Sequence, residues 1–200
     1  MTPSNQPPRR VAVYCGSAFG NNPAFLSEAK ALGAAIAAAG LGLVYGGTNI
    51  GLMGAVADAA LAGGAHAIGV LPELLAGREI AHDGLTQLVL VPSMHERKAR
   101  MADLADAFVA LPGGMGTLEE LAEILTWAQL GLHRKAAGVL DVRGYWRPLL
   151  AFLDHAVQER FLRPEHRALL LAREDPAELL DALAAFEPTA REKWIDRGQS

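Results

Sequence analysis

The stretch from Ala107 to Glu120 constrains the fold more than any other. An apolar run, Ala107-Phe108-Val109-Ala110-Leu111, leads into Pro112-Gly113-Gly114-Met115-Gly116 and then into a helix-periodic segment. An unalternating apolar run of this length, bounded by glycine, reads as a strand buried on both faces. Glycine lets the backbone turn tightly and come close to a ligand with no Cβ in the way. Such a turn frees backbone N–H groups and points a helix N-terminus at whatever lies above it, which makes an anion site. The same order recurs twice upstream. Val11–Cys15 runs into Gly16-Ser17, and Leu41–Tyr45 runs into Gly46-Gly47-Thr48-Asn49-Ile50-Gly51.

Between these turns the pattern alternates strand and helix. Strands are expected at Val11–Cys15, Leu41–Tyr45, His66–Leu71, Gln87–Val91, Ala107–Leu111, Ala136–Asp141 and Ala168–Ala172. Helices are expected from Pro23 to Ala39 behind an Asn22 cap, over Gly51–Ala62, from Ser93, over Thr117–Leu130, over Tyr145–Arg160, and from Asp175-Pro176 to Phe186. Ser93-Met94-His95-Glu96 is a capping box opening its helix. The segment Pro72–Gly84 reads as irregular, with room for one helical turn. Apolar strands separated by helices predict an α/β fold, a Rossmann-like, doubly wound parallel sheet with helices on both faces. The glycine turns would then share the carboxyl rim of the sheet, where ligands bind near the switch in strand order. Residues 1–10 are expected to be a disordered lead-in, 11–188 a single nucleotide-binding domain, and 189–200 a polar tail.

Two hundred residues suit one domain with a sizeable core. The net charge of -4 excludes a general basic face for nucleic acid. One cysteine excludes an intrachain disulfide framework, fits a reducing compartment and points to the cytoplasm. Ala31–Ala57 carries no charge, yet its glycines cut it into helix, strand, turn and helix, so no membrane span is expected. The histidines are scattered and no paired cysteines occur, so no metal site is expected. Gly46–Gly51 is not a G-x-G-x-x-G turn, and no acidic residue ends the second strand to hold an adenine ribose, which argues against NAD. No P-loop is present. No cofactor is expected.

Glu120 and Arg97 are the candidate catalytic residues. Read alone, Thr117-Leu118-Glu119-Glu120 is also a capping box, with Thr117 closing the helix and Glu120 held in its first turn. Arg97 and Lys98 stand near the start of their helix, where the dipole disfavours cations. That placement fits a planar fork and a point charge offered to an anion, although a solvated face is the plainer alternative. Cys15 has no histidine near it in sequence, and core packing is its better reading.

The Pro112–Glu120 segment resembles the PGGxGTxxE signature of the LONELY GUY family, the cytokinin riboside 5′-monophosphate phosphoribohydrolases. Met94-His95-Glu96-Arg97-Lys98-Ala99 is similar to that family's Arg-Lys element. Cys15-Gly16-Ser17 and Gly46–Gly54 are similar to its other glycine turns. The resemblance runs in order from about Val11 to Ala185. It implies hydrolysis of the N-glycosidic bond of N6-substituted AMP, giving free base and ribose 5-phosphate. A broader purine 5′-monophosphate nucleosidase, or a noncatalytic nucleotide sensor or carrier, are the alternatives. Members have often been labelled possible lysine decarboxylases, but nothing in this sequence points to pyridoxal phosphate.

The resemblance also implies roles for particular residues. Arg97 and Glu120 would be catalytic. Gly113, Gly114, Met115, Gly116, Thr117, Leu118 and Glu119 would surround the nucleotide, with Lys98, Ser17, Gly46 and Gly47 in support. Glu79 and Thr126 match nucleotide-contacting positions of the family. A homodimer is implied as well, with Trp127, Leu130 and Leu132 as candidate apolar surface and core packing as the equal alternative for them.

Overall fold

Each glycine turn ends a strand whose side chains are buried on both faces, so the strands can only lie in the middle of a layered molecule. The computed structural model describes residues 9–76 and 81–187. Glu79, the chain before residue 9 and the expected tail lie outside the described residues. The strands are β1 (Arg10–Tyr14), β2 (Gly42–Tyr45), β3 (Ala67–Pro72), β4 (Gln87–Val91), β5 (Ala107–Ala110), β6 (Ala136–Leu140) and β7 (Leu170–Arg173). They form one parallel sheet in the order β4-β3-β2-β1-β5-β6-β7. The chain starts in the middle, winds out to β4, returns to place β5 beside β1, and winds out to β7. The strand order therefore switches between β1 and β5.

Helices cover both faces. On one side lie α1 (Pro23–Ala38), α2 (Gly51–Ala62) and α8 (Pro176–Ala184); the first two pack Leu32, Ile36 and Val56 toward β1 and β2, and α8 packs Leu179 against Gly138 of β6. On the other lie α4 (Met94–Leu104), α5 (Met115–Gln129) and α6 (Arg147–Gln158), which pack Met101, Leu121 and Ile124 against Tyr14, Val44 and Phe108. Two short helices complete the set, α3 (Glu73–Ala76) and α7 (Pro164–Arg167). Asn22, Ser93 and Asp175 cap α1, α4 and α8 by accepting the backbone N–H of Ala24, Glu96 and Glu178, as their spacing predicts. Among the described residues, no helix is long and apolar enough to cross a membrane.

Four expectations are corrected. Arg9 and Arg10, assigned to the lead-in, belong to the domain: both backbone N–H groups donate to Asp106 Oδ2, at 2.9 and 3.0 Å. β4 is an edge strand and is not buried on both faces, since Leu88 and Leu90 are exposed. The helix expected from Tyr145 is broken at its start. Arg143 and Gly144 have φ of 55° and 76°, and Asp141 Oδ1 accepts the Trp146 N–H at 2.7 Å, so a 3-10 turn at Val142–Gly144 precedes α6. α5 starts two residues earlier than expected, at Met115, with extended Gly114 as its cap residue. Thr117 is then the third helical residue and Glu120 lies in the second turn. No capping box forms there, and Gly114 makes no side-chain cap bond.

Candidate functional site

Three loops meet above the switch between β1 and β5. The Gly16 N–H donates to Pro112 O at 3.0 Å, and the Leu52 N–H at the start of α2 donates to Gly16 O at 3.1 Å. The loops touch backbone to backbone. A Cβ on Gly113 would stand 2.1 Å from Thr117 Oγ1 and 2.8 Å from Gly16 N, so no other residue fits there unless the loops separate. Above Gly114 and Gly116 the space is open. The first backbone bond of α5 runs from Leu118 N to Gly114 O at 3.1 Å. The earlier N–H groups of the helix are thus left to an outside acceptor, as at any helix start without a side-chain cap. Met115 is 80% exposed beside them, and Ser17 is exposed on the facing loop.

A buried ion pair joins α4 to α5. Arg97 from α4 and Glu120 from α5 are each 7% exposed, with Arg97 Nη1 3.5 Å from Glu120 Oε1. Arg97 Nε donates to Val70 O, on β3, at 3.2 Å. Gly46 makes room for the guanidinium: a Cβ there would lie 2.1 Å from Arg97 Nη2. The dipole cost of a cation one turn into α4 is thus met by a carboxylate and a strand carbonyl. Burial pushes the Glu120 carboxyl up to about 7, against the pull of Arg97. A buried carboxyl that titrates near neutrality is poised to exchange protons.

The remaining candidates fall in different places. Lys98 donates to Glu119 at 2.5 Å and to Glu123 at 3.2 Å, so the cation expected to meet an anion is occupied by two carboxylates. Leu118 packs on the core face of α5. Thr126 donates its hydroxyl to Ala122 O at 2.7 Å, within its own helix. Cys15 is buried, and burial raises its thiol pKa, which matches the core-packing reading. Gly47 meets the chain leading to β4. His82 N donates to Gly47 O at 3.0 Å, Thr48 bridges Ala81, and the His82 ring lies 3.1 Å from Asp58. Sequence reasoning missed Tyr145, whose hydroxyl donates to the Gly113 carbonyl from the turn after β6. No spacing signal links residues so far apart. Thr48, only 6% exposed beside the Arg97 pocket, was visible only as part of a glycine turn.

Comparison with known proteins bears on this geometry. The family model described as possible lysine decarboxylase matches residues 53–183. A probable cytokinin riboside 5′-monophosphate phosphoribohydrolase of Oryza sativa subsp. japonica, LOGL2, is 46% identical over 191 residues, covering 93% of this chain and 78% of that one. The cytokinin riboside 5′-monophosphate phosphoribohydrolase LOG7 of Arabidopsis thaliana is 47% identical over 180 residues, covering 90% and 83%. Among solved structures, the molybdenum cofactor carrier protein of Chlamydomonas reinhardtii superposes with a TM-score of 0.67 at 23% identity, covering 88% of this chain and 95% of that one. That likeness shows the Rossmann-like fold alone. With the identities to the two plant proteins, the chain belongs to the LONELY GUY family of cytokinin riboside 5′-monophosphate phosphoribohydrolases.

Proposed function

We propose that this chain hydrolyses the N-glycosidic bond of N6-substituted purine nucleoside 5′-monophosphates, releasing the free base and ribose 5-phosphate. The buried Arg97–Glu120 pair carries the reading, because Glu120 stands on the helix whose first N–H groups follow the glycine turn without a side-chain cap. The phosphate would sit on the Gly113–Thr117 turn, with Ser17 and Gly46–Gly47 at its edges. Cleavage passes through an oxocarbenium-like ribosyl centre. The C1′–N9 electron pair leaves with the base as water oxygen bonds to C1′. Glu120 stabilises the positive ring, orients the water and accepts one of its protons, and the departing base takes up that proton. Arg97 holds the nucleotide or the leaving base by hydrogen bonds. We also propose that the protein works as a homodimer in the cytoplasm. The exposed Leu130 and Leu132 support the first point and the single buried thiol the second.

A turnover panel tests the reading. N6-isopentenyl-AMP, AMP and the matching nucleosides are offered, and released base is quantified. A site built to pair with a phosphate leaves its donors unpaired when the phosphate is missing. The nucleosides are expected to lose at least about a hundredfold in kcat/KM. Glu120→Gln is expected to lower turnover by about a hundredfold to ten-thousandfold, the usual scale for an acid–base group. Equal turnover of nucleoside and monophosphate, or near-normal turnover by Glu120→Gln, overturns the reading.

A further inference from the structure

Lys98 follows Arg97 directly, yet the two cations do different things. Arg97 enters the pocket, whereas the Lys98 ammonium sits between Glu119 and Glu123 and its side chain is only 12% exposed. Those two carboxylates stand on α5 immediately before Glu120 and one turn after it. The contacts thus mesh two adjacent cations of α4 with three carboxylates of α5, leaving one more negative charge than positive when Glu120 is ionised. Hydrogen bonds to both carboxylates keep the ammonium charged. Turning it toward a bound phosphate would break both of them.

We propose that Lys98 is a positioning residue that acts through Glu120 and not on the substrate: it offsets part of the negative charge of the carboxylates on either side of Glu120 and clamps α4 to α5 so that Arg97 meets its partner. This inference rests on Glu120 being the working carboxylate. The charges facing Glu120 are few. Arg97 and Lys98 of α4 favour its ionised form, while Glu119 and Glu123 of α5 oppose it. The Tyr14 phenol and the Cys15 thiol, from β1 and its end, are held neutral by burial. Without Lys98, a buried carboxyl would have to ionise between two unanswered negative charges.

The experiment measures kcat/KM for the monophosphate against pH in wild type, Lys98→Met, Glu123→Gln and the double variant. Lys98→Met makes the cluster more negative, so the acid limb should move up by about half a pH unit. Glu123→Gln makes it less negative, so the limb should move down by a similar amount. The double variant restores the wild-type charge, and its limb should return close to the wild-type position. Ionisation of the substrate phosphate is common to all four proteins and cancels in the comparison. Lys98→Arg, which can keep both ion pairs, should behave as wild type.

A direct phosphate contact predicts something else: KM would rise in Lys98→Met at every pH, the limb would stay put, and Glu123→Gln would not restore it. A purely structural clamp predicts that both single variants lose turnover and melting temperature together, with the limb unmoved. Either result overturns the proposal. If Lys98→Met fails to fold, Glu123→Gln alone decides, because only charge tuning moves its limb downward. Wild type that releases no base from any monophosphate overturns the functional reading, and this inference with it. Wild type that turns over while the limbs stay fixed overturns this inference alone.

Discussion

At the scale of single residues, Glu120 shows function set against stability. Its carboxyl is raised to about 7, so burial outweighs the attraction of Arg97. A carboxyl whose folded pKa lies above its unfolded value contributes stability that is present at low pH. That contribution is lost as pH climbs from the unfolded pKa toward the folded one. The window here runs from about 4.5 to about 7. Gln mimics the neutral acid and has no such dependence. Urea unfolding of wild type should therefore lose stability relative to Glu120→Gln across this window, by at most about 1.4 kcal/mol per pH unit. The variant should match wild type near pH 5 and exceed it at pH 8, although it turns over far less substrate. Parallel stabilities at the two pH values would contradict this account of the pair.

Elements decide how much of this could be read from sequence. The capping signals at Asn22, Ser93 and Asp175 were legible because each acts within one turn of its own helix. The same logic failed at Thr117-Leu118-Glu119-Glu120. Two flexible glycines let α5 begin earlier, and Glu120 was claimed by a cation from another helix. A local pattern cannot reveal such a partner. The break before α6 and the short α7 were missed for a related reason. The break depends on Asp141 catching the Trp146 N–H, and α7 spans only four residues. The turn after β2 supplies a prediction at this scale. Gly46→Ala puts a methyl group where Arg97 Nη2 lies and 3.1 Å from Met53 Sδ, yet only the ends of two flexible side chains have to move. The fold should survive with a melting temperature close to wild type. Turnover should fall by about a hundredfold, as expected when a catalytic group is displaced by about 1 Å. Circular dichroism melts alongside turnover assays check the pairing of these outcomes.

For the molecule as a whole, the exposed Leu130 and Leu132 stand at the end of α5, while Trp127 is partly buried against the core. An isologous pairing of two chains would cover such residues. Light scattering at micromolar concentration should report twice the chain mass, and Leu132→Asp should lower it. A single-chain mass for the wild type contradicts the homodimer. A different consequence follows from where the chain reverses its winding. The sheet has a left half, β4 to β1, and a right half, β5 to β7, joined at one seam. Ser17 and the Gly46 turn belong to the left half and Glu120 to the right, and Arg97 comes from the helix that carries the chain across. A nucleotide held there would be a rivet through the seam, tightening the two halves as it binds, and each release of product would draw the rivet out again.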